Sequence, residues 1–110
     1  MDNFMKYKYA WEKFHSSILT LASDGPFPQR ISDAYLYGIS LLKKENDIPE
    51  PLWEDYEELV SLLTGTEPEA YEGRVSASVN RLGELELNRA SELMVGLYDS
   101  LCRYMPNHNA

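Results

Sequence analysis

A single cysteine, Cys102, leaves no partner for an internal disulfide and fits a reducing compartment. Histidine is almost as scarce. His15 and His108 are the only two, too few beside one thiol for a zinc site. No apolar run approaches the roughly 18 residues of a membrane span, and the first residues lack the apolar core of a signal peptide. The expected location is therefore the cytoplasm. A glycine loop followed by lysine is missing, so no phosphate cradle is expected. Internal repeats and low-complexity tracts are missing as well. The most informative shortage is local: residues 45–72 contain no Lys or Arg.

What fills that stretch is carboxylate. Glu45, Asp47, Glu50, Glu54, Asp55, Glu57, Glu58, Glu67, Glu69 and Glu72 give it a charge of −10, against +2 for residues 1–44 and zero for 73–110, which makes the chain's −8. A chain this acidic is unsuited to binding nucleic acid through the general phosphate attraction, and is suited to a basic protein partner. The apolar fraction of 44% and charged fraction of 25% are those of a soluble globular protein. At 110 residues it should form one domain, 1–110, with a core needing neither disulfide nor metal.

Apolar spacing predicts helices over about 3–22, 29–44, 51–64, 74–82 and 84–105. In the first, Phe4, Tyr7, Trp11, Phe14, Ile18 and Leu21 recur at alternating intervals of three and four, one stripe of an amphipathic helix. Gly25, Pro26 and Pro28 end it. The second carries Gly38 at its middle, a residue that costs around 1 kcal/mol there and is expected to permit close approach of a neighbour. In the third, Trp53, Val60, Tyr56, Leu63, Leu52 and Leu59 fill an arc of about 120°, acids fill the opposite side, and Leu62 projects among them between Asp55 and Glu58. Residues 74–82 read both as a strand and as a short helix; with no second strand to pair with, the helix is expected. Leu87, Ala90, Met94, Leu97, Leu101 and Tyr104 repeat the three-and-four spacing in the last helix. Short connections make neighbours antiparallel, so the expected fold is an all-α up-down bundle of four main helices plus a short one before the last. The first and last helices should pack together.

Catalytic patterns are thin. Glu12-Lys13-Phe14-His15 has the Glu-x-x-His spacing of di-iron bundles, but those need two such units facing inward, and Glu12 lies off the apolar stripe. Cys102 is near a helix C-terminus, where the dipole disfavours a thiolate, and reads as structural. His15-Ser16-Ser17 pairs a base with hydroxyls only in sequence, since adjacent helical residues do not face one another. Lys6-Tyr7-Lys8-Tyr9 interleaves basic and aromatic residues, yet on a helix Tyr7 turns inward and the lysines outward. No cofactor and no metal are expected.

The acidic stretch remains. Glu50, Glu54 and Asp55 near a helix N-terminus gain roughly 0.3–1 kcal/mol each from the dipole, which accounts for them as an ordinary solvated face. Glu54–Glu58, Glu54–Glu57 and Asp55–Glu58 are like-charged neighbours on the helix and cost about 0.2–0.5 kcal/mol apiece, with no base to offset them. Trp53, Leu62 and Tyr71 stand among the acids as apolar anchors. The expected partner-binding surface is thus Asp47, Glu50, Trp53, Glu54, Asp55, Glu57, Glu58, Leu62, Glu67, Glu69, Tyr71 and Glu72. Its expected function is that of a small acidic interaction module docking on a basic surface of a partner, such as a nucleic-acid-handling protein. Inhibitors and immunity-type proteins act in this way, and carboxylates standing in for phosphates would make it a nucleic-acid mimic. Two alternatives stand beside it. One is an assembly protein that self-associates, as a homodimer, through aromatic surface, its acids only keeping it soluble. The other is a small enzyme using carboxylate and tyrosine chemistry.

Overall fold

The computed structural model describes residues 3–68 and 73–106. Their regular structure is all helical: α1 (Asn3–Leu21), α2 (Phe27–Leu36), α3 (Lys44–Asp47), α4 (Trp53–Thr64), α5 (Arg74–Arg81) and α6 (Glu84–Cys102), with 3₁₀ turns at Ile39–Leu41 and Glu50–Leu52. The fold is the expected all-α bundle. No helix among the described residues is long and apolar enough to cross a membrane.

α1 is the spine, and its pairings fix the directions of its neighbours. Along α6, Tyr7 meets Tyr104 edge-on at 5.2 Å, the Trp11 indole donates to Cys102 Sγ at 3.3 Å, and His15 Nδ1 lies 2.9 Å from the Tyr98 hydroxyl. Numbers rise on one helix as they fall on the other, so the first and last helices pack antiparallel. Along α2, Ser17 Oγ donates to the Ala34 carbonyl at 2.6 Å and Arg30 Nη1 to the Leu21 carbonyl at 2.5 Å, again antiparallel. Phe14 is wholly buried between these flanks, and the Tyr7–Trp11–Ile18 side of the stripe is half-buried against the core. Ala10 and Ser17, off the 3-4 stripe, are also buried, and Ser17 makes contact with α2.

The expected single helix over 29–44 is instead three pieces. α2 stops at Leu36, Gly38 leaves the helical region at φ −144°, ψ −78°, and Lys44 opens a separate turn of helix rather than closing the second. Packing explains the break. A Cβ on Gly38 would stand 2.5 Å from Ser17 Oγ and 2.9 Å from the Lys13 carbonyl oxygen, so the backbone of 38 is pressed directly onto α1. The Ser17 hydroxyl takes the Ala34 carbonyl that the next helical turn would have used. The glycine thus permits close approach as expected, but at a helix end. Beyond it Ile39 and Leu42 are buried while Leu41 is 52% exposed.

α4 begins two residues later than expected, after the 3₁₀ turn, and α6 ends three earlier, at Cys102. The last turn tightens to i→i−3 bonds from Arg103, Tyr104 and Met105 before Pro106. Residues 74–81 are helical, with Val75, Ala77, Ser78 and Val79 buried. Ser78 Oγ donates to the Arg74 carbonyl and accepts the Thr66 N–H at 3.0 Å, which fastens α5 to the end of α4.

Gly38→Ala should destabilise the protein by about 1–3 kcal/mol in denaturant unfolding, because Lys13 O is backbone and cannot turn aside. The loss should persist in a Ser17→Ala background, where only the hydroxyl contact is relieved. Tyr56, 6% exposed, gives a second test: burial first, then the charges of Tyr35, Asp47 and Glu45, push its phenol up from 10.0 to about 12. A folded value above the unfolded one means stability is intact below pH 10 and lost as pH climbs through about 12. Tyr56→Phe should shift the alkaline limb of the thermal midpoint upward.

Candidate acidic interaction face

α4 puts its acids outside because its apolar residues are needed inside: Tyr56, Leu59 and Leu63 are buried, while Glu54, Asp55, Glu57 and Glu58 are exposed. Glu50 is exposed at the start of the 3₁₀ turn before it. Asp47 closes the α3 turn, its carboxylate accepting the Lys43 N–H at 2.8 Å. Glu67 follows α4 in the loop toward α5. Glu69, Tyr71 and Glu72 lie outside the described residues.

The absence of compensating bases does not carry over from sequence to space. Lys44 Nζ reaches Glu57 at 2.5 Å and also lies 3.7 Å from Glu45. Arg89 forks onto both oxygens of Glu58 at 2.7 Å each, and Arg74 onto both oxygens of Glu67 at 3.0 and 3.2 Å. All three bases come from outside the acidic stretch, brought in by α3, α6 and α5. The Arg89 hydrogen bond holds the Glu58 carboxyl below its ordinary value, with partial desolvation acting the other way. Glu58 in turn raises Arg89, with smaller contributions from the charges of Asp55 and Glu92. Arg89 is therefore the centre of a carboxylate cluster joining α4 to α6. Glu50, Glu54 and Asp55 have no ion pair among the described residues.

The anchors differ from expectation. Leu62 was expected to project away from the core arc but is half-buried and packs against the core. The Glu58–Arg89 fork shows why: α6 lies along that flank, so α4 is covered on two sides. Trp53 is also half-buried, its indole N–H donating to the Ile48 carbonyl at 2.8 Å and its ring lying 4.9 Å from Lys44 Nζ. It staples the corner between α3 and α4. The large apolar residues that are exposed lie elsewhere. Leu85 is 84% exposed one turn before Arg89, and Tyr37 is 75% exposed beside Gly38. Leu85 was recognisable as the residue off the Leu87–Ala90–Met94 stripe; Arg89 and Lys44 left no signal, since their partners are 31 and 13 residues away.

The remaining candidates are quickly placed. Glu12 is exposed and 3.8 Å from Lys8, while His15 stacks on Trp11 at 5.1 Å, so the Glu-x-x-His unit does not converge. Among the described residues no group of three His, Cys, Asp or Glu side chains could hold a metal. Cys102 is an exposed free thiol that accepts the Trp11 N–H. No family model, no curated protein and no solved structure matches the chain.

Arg89→Met should return the Glu58 carboxyl toward 4.5 in an NMR pH titration. Glu58's folded value is depressed, so its contribution to stability exists above the unfolded value and fades as pH falls through the folded one. The acid limb of the variant's stability curve should be correspondingly flatter.

Proposed function

We propose that this protein is a small acidic interaction module, without catalytic activity, that binds a basic surface of a partner protein in the cytoplasm. The partner best suited to such a face is one that handles nucleic acid, and the sharpest form of the reading is mimicry, with carboxylates taking the place of phosphates. The observation that carries it is the set of exposed acids left over after internal pairing. Glu50, Glu54 and Asp55 form no ion pair among the described residues, and they sit beside Glu57 and Glu58, which Lys44 and Arg89 hold in place. Pre-positioned carboxylates lower the ordering cost of an electrostatic contact, and excess negative charge speeds the encounter. The half-buried Trp53 and Leu62 contribute edges, and Asp47 and Glu67 border the face. The expected surface also takes in Glu69, Tyr71 and Glu72.

A second reading has its own support. Tyr37 and Leu41 are 75% and 52% exposed on either side of Gly38, apolar surface suited to self-association with the acids serving solubility.

One variant separates the two readings. Glu50→Gln/Glu54→Gln/Asp55→Asn leaves Lys44 and Arg89 paired, so the fold should hold. Under the interaction reading, affinity for a partner purified from the native host falls steeply between about 50 and 200 mM salt, and the triple variant removes most of that dependence. Affinity flat across that range would exclude an electrostatic face. A concentration-dependent dimer in sedimentation, unchanged or strengthened in the variant, would favour self-association.

A further inference from the structure

We propose that the cleft between α2 and α5 is a binding site for a guanidinium group. It has a volume of about 220 Å³, too small for a drug-sized ligand and enough for a planar cation with a short stem. Its polar lining is Gln29, Ser32, Asp33 and Tyr37 from the α2 side, with Ser76 and Asn80 from α5. Gln29, Ser32 and Asp33 stand three and four residues apart and share one helical face, as do Ser76 and Asn80 on theirs.

Ser32 is the most deeply buried of these polar residues. It is 6% exposed, yet its hydroxyl has no hydrogen-bond partner among the described residues. Thr20, Ser40, Thr64 and Ser78 each give their proton to the carbonyl four residues back. Ser32 does not, and its hydroxyl opens on the cleft. That hydroxyl is reached from the cleft, so it is free to bond a ligand there.

The neighbouring groups define the ligand. Gln29 Nε2 donates to Asp33 Oδ1 at 2.9 Å, which leaves the Gln29 carbonyl oxygen and Asp33 Oδ2 as acceptors not engaged in that bond. Asn80 adds an amide carbonyl, and Ser32 and Ser76 add hydroxyl oxygens. No Lys or Arg lines the cleft, and Asp33 has no ion pair among the described residues. An anion would meet an unscreened carboxylate. A metal ion would find a single carboxylate. A guanidinium brings positive charge and five N–H donors fixed in one plane, matching several separated acceptors better than a compact ammonium can. The exposed Tyr37 ring at the rim offers a face for the cation to stack on.

This cleft lies on helices other than α4 and shares no residue with the acidic face, so either assignment can fail without the other. The test is an NMR titration of the full-length ¹⁵N-labelled protein with n-butylguanidine, and in parallel with n-butylurea, its neutral isostere. Saturable shifts centred on Ser32, Asp33, Ser76 and Asn80 are expected, with the urea at least about tenfold weaker. Asp33→Asn should weaken the guanidine by about tenfold or more, and Ser76→Leu, which narrows the cleft from the opposite wall without touching the carboxylate, should abolish the shifts. A blocked tripeptide, Gly-Arg-Gly, separates the sources: tighter binding than butylguanidine identifies an arginine side chain of a protein, weaker binding a free small guanidine. Equal binding of urea and guanidine, shifts centred on α4, or full affinity in the folded Ser76→Leu variant would overturn the assignment.

Discussion

The bundle depends on the contact of bare backbone at Gly38 with α1. Ser17 and Gly38 form the two halves of one joint: the serine hydroxyl takes the Ala34 carbonyl, and the glycine's missing Cβ lets its backbone reach Lys13 and Ser17. Arg30 secures the same pair of helices at the other end by donating to the carbonyls of Leu21 and Gly25, where Gly25 sits at φ 118°. With α1 and α2 fixed at both ends, the chain from Ile39 onward has little freedom. Leu42 and Ile48 are buried, and the Trp53 indole returns to Ile48, which sets where α4 must begin.

The electrostatics follow from that path. An acidic stretch without a single base looks uncompensated when charges are read along the chain, but Lys44, Arg74 and Arg89 come from α3, α5 and α6, the elements that surround α4. Such exposed pairs contribute little to stability. Their effect is on order: they fix Glu57, Glu58 and Glu67 in defined positions and concentrate the remaining negative charge at the N-terminal end of α4, on Glu50, Glu54 and Asp55. That end is also where the helix dipole favours carboxylates.

Much of the architecture was legible from apolar spacing. The stripes of α1 and α6 run over long stretches with alternating intervals of three and four, and both helices pack as expected. The choice of helix over strand for 74–82 also held, because Val75 and Val79 face one way at helical spacing. The break at Gly38 was not legible, since it arises from what lies opposite the glycine and not from the residues beside it. Leu62 was misjudged for a related reason. The helical wheel shows its position relative to Glu58 and Asp55, but only the arrival of α6 on that flank determines that it is covered. The partners of the acids were likewise hidden, because ion pairs across 31 or 13 residues leave no periodic trace.

The two tryptophans stand in unlike surroundings. Trp11 lies in the α1–α6 seam with a thiol at its ring nitrogen and an imidazole stacked on its face. Trp53 is bonded to a carbonyl at the α3–α4 corner with an ammonium above it. The molecule therefore carries an indole at each of two joints, one in the seam between the longest helices and one at the corner on which the acidic helix is mounted.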